Sequence, residues 1–374
     1  MSLSLTTVFA DLPDPRIETA NKLHTLVDIL VIATCAVIAG ADGWEDIAEY
    51  GRSKKDFFRR FLTLKNGIPS HDTFERVFAK LEPGAFADRF GRWMAGLCET
   101  TGLVHIAVDG KSARHSAKDT FTGCLHLVSA WAVENRLILG QRSVPDSGHE
   151  ITTVPDLLAA LDLTGAVVTL DAAGCQKATV EQIRKQGGDY VVCVKGNQAG
   201  LQDAVANAFA RAGDAGFADC DTTSEVDASH GREQERHVSV IQNPTGLPAG
   251  WKDVGSVALV CRERQVKGQP NTSAAWYYLS SLRVSALVLA GYIRSHWGIE
   301  NGLHWVLDVS FREDDSRTRA GHAAANLGML RRVALSLLKR AGTKGSIRTR
   351  RMRAGWDDDY LLTVLQGITD KDSA

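Results

Sequence analysis

Hydrophobic positions in the first hundred residues recur three and four apart. Leu26, Ile29, Leu30, Ala33, Val37 and Ile38 share one helical face. Trp44, Ile47, Tyr50, Phe57, Phe58 and Phe61 carry the rhythm on to the breaker Asn66-Gly67-Ile68-Pro69. Asp72, with Glu75 three residues later, offers a capping box for a further helix through Phe74, Val77, Phe78 and Leu81. The spacing therefore predicts a helical N-terminal domain over 1–100. Two helices about a Gly-Pro turn fit a helix-turn-helix or an ordinary bundle, and the pattern leaves both open.

From Val104 the period shortens. Val104-His105-Ile106-Ala107-Val108 is a short apolar run that ends at Asp109-Gly110. The β-forming stretches 125–133 and 137–144, joined by Glu134-Asn135, read as a hairpin. A helix over 155–161, a strand over 166–170 ending at Asp171, a helix over 178–186 and a strand over 190–194 follow. The order β-β-β-α-β-α-β predicts an α/β fold, a mixed sheet flanked by helices. A helix over 201–212 then leads into polar strands at 237–241, 254–260 and 274–279, which read as a β-rich insertion. Beyond Ser285 the pattern is helical to about Arg340, and a basic tail follows. The longest apolar run, 29–41, has 13 residues, short of the roughly 20 needed to span a bilayer, and predicts a buried helix. The first residues lack a basic stretch followed by an apolar one, so no targeting segment is expected.

Composition narrows the class. The chain has 374 residues, 44% hydrophobic and 23% charged, enough for two to three structural units or one core with large additions. Disorder, collagen and a disulfide scaffold are excluded. Seven cysteines, an odd number with no C-x-x-C pair, read as free thiols in a reducing cytoplasm, with no structural zinc. A net charge of −1 argues at first against a nucleic-acid binder. The distribution reverses that argument. Residues 1–100 carry 12 basic and 14 acidic side chains and 201–280 carry seven and ten, but 317–353 carry eleven basic and none acidic.

Three carboxylates stand out among the 44 acidic residues. Asp109 and Asp171 each end an apolar strand before small residues, at the sheet edge where open α/β folds place their sites. An Asp there also serves simply to cap the next turn. Glu300 lies between His296 and His304 at helical spacing, with Trp297 and Trp305 alongside and expected to be buried. Two aspartates and a glutamate form a hard, oxygen-rich set suited to Mg²⁺ or Mn²⁺. Two such ions ~4 Å apart serve phosphodiester cleavage and strand transfer. A zinc hydrolase built on His296, His304 and Asp308 is the competing metal reading.

Several blocks in one order carry a resemblance. They are Gly67-Ile-Pro-Ser-His-Asp-Thr-Phe-Glu-Arg-Val-Phe78, Val108-Asp-Gly-Lys-Ser-Ala-Arg-His-Ser116, Leu127-Val-Ser-Ala-Trp131, Thr169-Leu-Asp-Ala-Ala-Gly-Cys-Gln176, Lys195-Gly-Asn-Gln198 and His230-Gly-Arg-Glu-Gln-Glu-Arg236. The last runs from His296-Trp-Gly-Ile-Glu through Asn-Gly-Leu-His-Trp to Asp314. The chain resembles bacterial insertion-sequence transposases of the DDE class, the ISAs-type family that includes the H-repeat-associated proteins.

The resemblance implies an RNase H-like core over 101–199 and 282–342, a β-rich insertion over 200–281 before the last catalytic helix, and a basic tail over 343–374. It gives Asp109, Asp171 and Glu300 the metal-ligand roles, with Mg²⁺ or Mn²⁺, two ions, as cofactor. The 129 residues between Asp171 and Glu300, against 62 between the aspartates, agree with an insertion. The wider superfamily often has Arg four residues before the Glu and Lys seven after. Here His296 and Leu307 stand there, so DNA contacts near Glu300 fall to neighbours such as Arg294. Ala173 replaces a frequent Met. Candidate DNA contacts are Lys111, Arg114, His115, Arg232 (clustered with His230 and Arg236), Arg294, His296, Arg317, Arg319, Arg331 and Arg332. The implied protein is a cytoplasmic transposase, nucleoid-associated when bound, that engages the terminal inverted repeats of double-stranded DNA as a dimer. A DNA-binding relic without catalysis is the alternative.

Overall fold

A computed structural model describes residues 4–97, 105–116, 124–144, 150–229, 232–266 and 270–366, with residues 4, 229 and 232 described in backbone only. It contains two compact units, one of 1–100, 110–149 and 299–374, the other of 101–109 and 150–298. The strands are β1 (His105–Ala113), β2 (Leu125–Ala132), β3 (Leu137–Val144), β4 (Val167–Leu170), β5 (Asp189–Val194), β6 (Asp221–Ser229), β7 (Arg232–Gln242), β8 (Ser256–Val266) and β9 (Thr272–Ser280).

The first unit is built around two helices that are apolar on nearly every face. Leu26–Ile38 buries every residue except Val27, and Ala323–Arg340 is buried from Ala325 to Leu338. A helix that is hydrophobic all round belongs in the middle of a bundle. Thr25 starts the first, its side chain accepting from the Asp28 amide at 3.0 Å. Asn326 ties the second to the helix His71–Lys80, donating to the carbonyls of Phe78 and Leu81 at 2.8 and 2.9 Å. That shorter helix is capped by Ser70, two residues before the expected Asp72. The β2–β3 hairpin pairs antiparallel from His126↔Val144 to Ala132↔Leu137. Helix Pro83–Leu97 lies so close to it that a Cβ at Gly91 would sit 2.2 Å from the Leu139 carbonyl oxygen.

The segment expected as a basic tail is structured through residue 366. It forms the helices Ile347–Trp356 and Asp358–Gln366, whose Ala354, Tyr360, Leu361 and Leu365 are buried. Arg351 is also buried, donating to the carbonyls of Val37 and Ala41 at 3.1 and 3.2 Å. It thereby satisfies the open C-terminal end of helix Leu26–Ile38 and neutralises its dipole.

In the second unit the strand order is β1-β4-β5-β9-β8-β7-β6. β1, β4 and β5 are parallel, and β5 to β9 begins an antiparallel series with Val191 opposite Ser280. The mixed α/β sheet expected of an RNase H-like core is therefore present. The strands of the 200–281 segment continue the same sheet from β5. β6, absent from the sequence reading, is the polar segment Asp-Thr-Thr-Ser-Glu-Val-Asp-Ala-Ser. Helix Ala286–His296 covers one face, its Leu289 and Ile293 packed with Val167, Val191 and Cys193. Among the described residues no helix is long and apolar enough to cross a membrane.

Candidate active site

The sheet register aligns the two aspartates. Val108 of β1 pairs with Leu170 of β4 in parallel, so Asp109 and Asp171 follow at matched positions on adjacent strands and on the same face. Asp171 Oδ1 accepts from the amides of Ala173 and Gly174 at 2.9 and 3.3 Å. These two bonds fix the carboxylate and leave Oδ2 for another partner. Burial raises the Asp171 pKa despite those donors. A carboxylate in such surroundings is stabilised in its charged form by an added cation.

Glu300 belongs to the first unit and opens a π-helical turn, Glu300–His304, between the helices Ala286–His296 and Trp305–Phe311. Such turns break the 3.6-residue register and frequently mark functional positions. The single polar face expected for His296, Glu300 and His304 is accordingly interrupted. Trp297 and Trp305, expected to be buried, are 50% and 60% exposed. The Glu300 side chain is itself half exposed, 3.6 Å from His304 Nδ1. Burial holds the His304 pKa down to about 3, so that contact joins a carboxylate to a neutral ring.

Several expected DNA contacts require correction. Arg332 has no exposed surface and is paired with Glu313 at 2.6 Å, with further bonds to Ser129 and Gly328. Arg331 is 3% exposed and donates to the Asp42 carbonyl. Neither guanidinium can reach a phosphate. His296 is buried too, its Nδ1 2.9 Å from Thr169 Oγ1. Lys111 faces carboxylates instead of solvent: Asp308 at 2.8 Å, Asp314 at 3.0 Å and Glu313 at 3.9 Å. These acids raise its pKa against the opposing effect of burial.

Four of the others are accessible. Arg114, His115, Arg317 and Arg319 are exposed. Three of them are linked, since His115 Nδ1 meets the Asp314 carbonyl, Arg114 pairs with the Asp314 carboxylate at 3.3 Å, and Arg319 donates to the His115 carbonyl at 3.2 Å. In the second unit Arg294 pairs with Glu225 and borders a cavity of about 650 Å³ lined also by Arg236, Arg262, Trp276 and Trp297. Arg232 opens β7, and His230 lies outside the described residues. Sequence reasoning missed Thr169, and it missed His105, whose only signal was an imidazole inside the apolar run before Asp109.

β1 and β4 thus carry Asp109 and Asp171 at matched positions of one mixed sheet. The DDE_Tnp_1-associated model matches residues 6–94 and the transposase DDE domain model matches 100–337. The chain belongs to the DDE transposase family. It is 37% identical over 365 residues to the "H repeat-associated putative transposase YhhI" of Escherichia coli K12, covering 95% of this chain and 96% of the relative. The "Putative transposase YncI" of Escherichia coli O157:H7 is 36% identical over 375 residues, covering 98% and 95%. A piggyBac transposase synaptic complex with hairpin DNA aligns with 98% of this chain and 77% of its own, at 10% identity and a TM-score of 0.41.

Proposed function

We propose that this chain binds the terminal inverted repeats of an insertion sequence and catalyses metal-dependent strand cleavage and strand transfer. Asp109, Asp171 and Glu300 hold two Mg²⁺ or Mn²⁺ ions in this reading. The observation that carries it is the matched placement of Asp109, within β1, and Asp171, directly after β4, on adjacent parallel strands. The donor set fits the ions: Asp171 is oriented by backbone amides and desolvated, and carboxylate oxygens are the ligands these ions prefer. When bound, the ions would activate a water or a 3′-hydroxyl and stabilise the leaving oxygen.

The protein's own part is binding and orientation. Arg114, Arg317 and Arg319 offer exposed charge for DNA phosphates and His115 an exposed imidazole, and Arg294 offers more charge in the second unit. Arg232 remains a candidate by resemblance. Two element ends call for a dimer on DNA, and a nucleoid-associated protein of the cytoplasm follows from that substrate. The test is cleavage of element-end DNA in Mg²⁺ by wild type, Asp109→Asn, Asp171→Asn and Glu300→Gln. Wild type cleaves and each variant binds without cleaving. Full activity in any variant removes that residue from the site. Binding by wild type without cleavage in either Mg²⁺ or Mn²⁺ leaves only a DNA-binding relic.

A further inference from the structure

A buried chain of polar groups lies beneath the aspartates. His105 Nε2 is 2.8 Å from Thr169 Oγ1, and the same hydroxyl is 2.9 Å from His296 Nδ1. His105 and Thr169 are each 1% exposed and His296 6%. The edge of the Tyr292 ring closes over His105 at 5.2 Å between centroids.

The placement of the three residues is specific. His105 stands on β1 four residues before Asp109, and Thr169 on β4 two residues before Asp171. His296 ends its helix four residues before Glu300. Side chains alternate along a strand, so His105 and Asp109 share a face of β1, and Thr169 and Asp171 share a face of β4. The parallel register puts both pairs on the same side of the sheet, the side covered by helix Ala286–His296. One hydroxyl therefore joins the strand bearing Asp109, the strand bearing Asp171 and the helix that leads toward Glu300.

Apolar side chains would fill this space without the cost of burying three polar groups. They would also allow small slips of strand against helix that a directional hydrogen bond does not. Burial pushes both imidazoles down to about 4, so both are neutral near pH 7. The threonine hydroxyl carries one proton and two lone pairs, so it can pair with a ring nitrogen on either side, and the chain is directional as well as buried.

We propose that the His105–Thr169–His296 hydrogen-bond chain positions the metal-binding carboxylates, fixing the two aspartate strands and the helix before Glu300 in one register. The three are positioning residues, and the proposal rests on the reading of Asp109, Asp171 and Glu300 as metal ligands.

Mn²⁺ binding to the full chain, followed by electron paramagnetic resonance of the free ion, tests it without requiring DNA cleavage. Thr169→Val keeps the shape and deletes the hydroxyl, whereas Thr169→Ser keeps the hydroxyl. The valine variant should bind Mn²⁺ about tenfold more weakly and the serine variant within about threefold of wild type. His296→Asn, which keeps a polar atom near the Nδ1 position, and His296→Leu form a second pair with the same expected ordering if Thr169→Val does not fold. Thermal melting is recorded in parallel. A valine variant that melts earlier yet binds Mn²⁺ as wild type does would reduce the chain to a stabilising contact and overturn the proposal. Asp171→Asn is the control for the underlying reading. If it binds Mn²⁺ like wild type, the carboxylate site fails irrespective of the threonine result.

Discussion

Replacing Arg332 by Met and Glu313 by Gln, singly and together, separates a structural cation from a DNA contact. Both side chains are buried, and the guanidinium is held by four groups: both Glu313 oxygens at 2.6 and 3.4 Å, Ser129 Oγ at 3.1 Å and the Gly328 carbonyl at 3.0 Å. Removing one partner leaves the other charge unpaired in a dry site, which costs ~3–5 kcal/mol. That is a large share of the roughly 5–15 kcal/mol that holds a typical domain folded. The two single changes should not be equal. Burial opposes ionisation of Glu313, but the fields of Arg332, Arg331 and Lys111 lower its pKa. Glu313→Gln therefore leaves the fully buried Arg332 without its carboxylate and removes an anion that Arg331 and Lys111 also face, whereas Arg332→Met leaves Glu313 still facing those two cations. The glutamine variant should be the less stable. The double variant should lose no more than the worse single, because the second change removes the unpaired charge created by the first. Urea unfolding followed by tryptophan fluorescence and circular dichroism measures all four proteins. DNA binding across a salt series supplies the second axis: Arg332→Met should keep the wild-type slope, whereas loss of a phosphate contact lowers it by about 1. Unchanged unfolding together with a shallower salt slope would refute the burial argument and return Arg332 to the DNA surface.

Acid should destabilise the second unit by forcing protons onto its two buried imidazoles. His105 and His296 are lowered from 6.5 to about 4 in the fold, chiefly by burial, so the unfolded chain binds more protons between those values. Stability is complete above pH 6.5 and falls as the pH drops toward 4, by at most ~3 kcal/mol per ring; an unfolding midpoint flat from pH 7 to 4.5 would contradict this. Gly91→Ala should destabilise the first unit by ~1–3 kcal/mol in the same urea assay. Its added Cβ would meet the Leu139 backbone oxygen at 2.2 Å, and a neutral result would mean that helix and hairpin separate freely.

The elements that periodicity and turn residues specify were readable from the chain. The apolar rhythm of Leu26 to Ile38 gives a helix that the structure buries, and the runs ending at Asp109 and Asp171 give two strands whose alignment follows from parallel pairing. β6 was not readable because it has almost no apolar face: Val226, the largest apolar side chain in it, is 57% exposed. Its strand state comes from the ladder with β7, from Asp221↔Val240 to Ser229↔Arg232. Backbone pairing of that kind leaves no hydrophobic period to detect. The π turn at Glu300 was equally silent, because inserting a residue into a helix changes which side chains share a face without changing composition.

The eleven basic residues of 317–353 show why charge counted along a chain misleads. Arg331, Arg332 and Arg351 lie inside the fold, while Arg317 and Arg319 face solvent. The local sequence held part of the distinction. Arg331 and Arg332 sit within Leu327-Gly-Met-Leu-Arg-Arg-Val-Ala-Leu, where a helix has no polar side on which to solvate them. A cation in that setting requires an internal anion, and Glu313 supplies it to Arg332. Lys111 presents the same logic from the strand side, since it lies two residues past Asp109 yet is matched by Asp308 and Asp314. The acidic residues after Glu300 therefore serve two purposes. Glu300 is placed at an accessible π turn, whereas Asp308, Glu313 and Asp314 are consumed in holding cations that brace the fold. A DNA-binding surface inferred from this chain should accordingly be drawn from basic side chains that stay exposed to solvent. By that criterion the strip of Arg114, His115 and Arg319, with Arg317 nearby in sequence, is a better guide to the DNA path than the larger charge of the block as a whole.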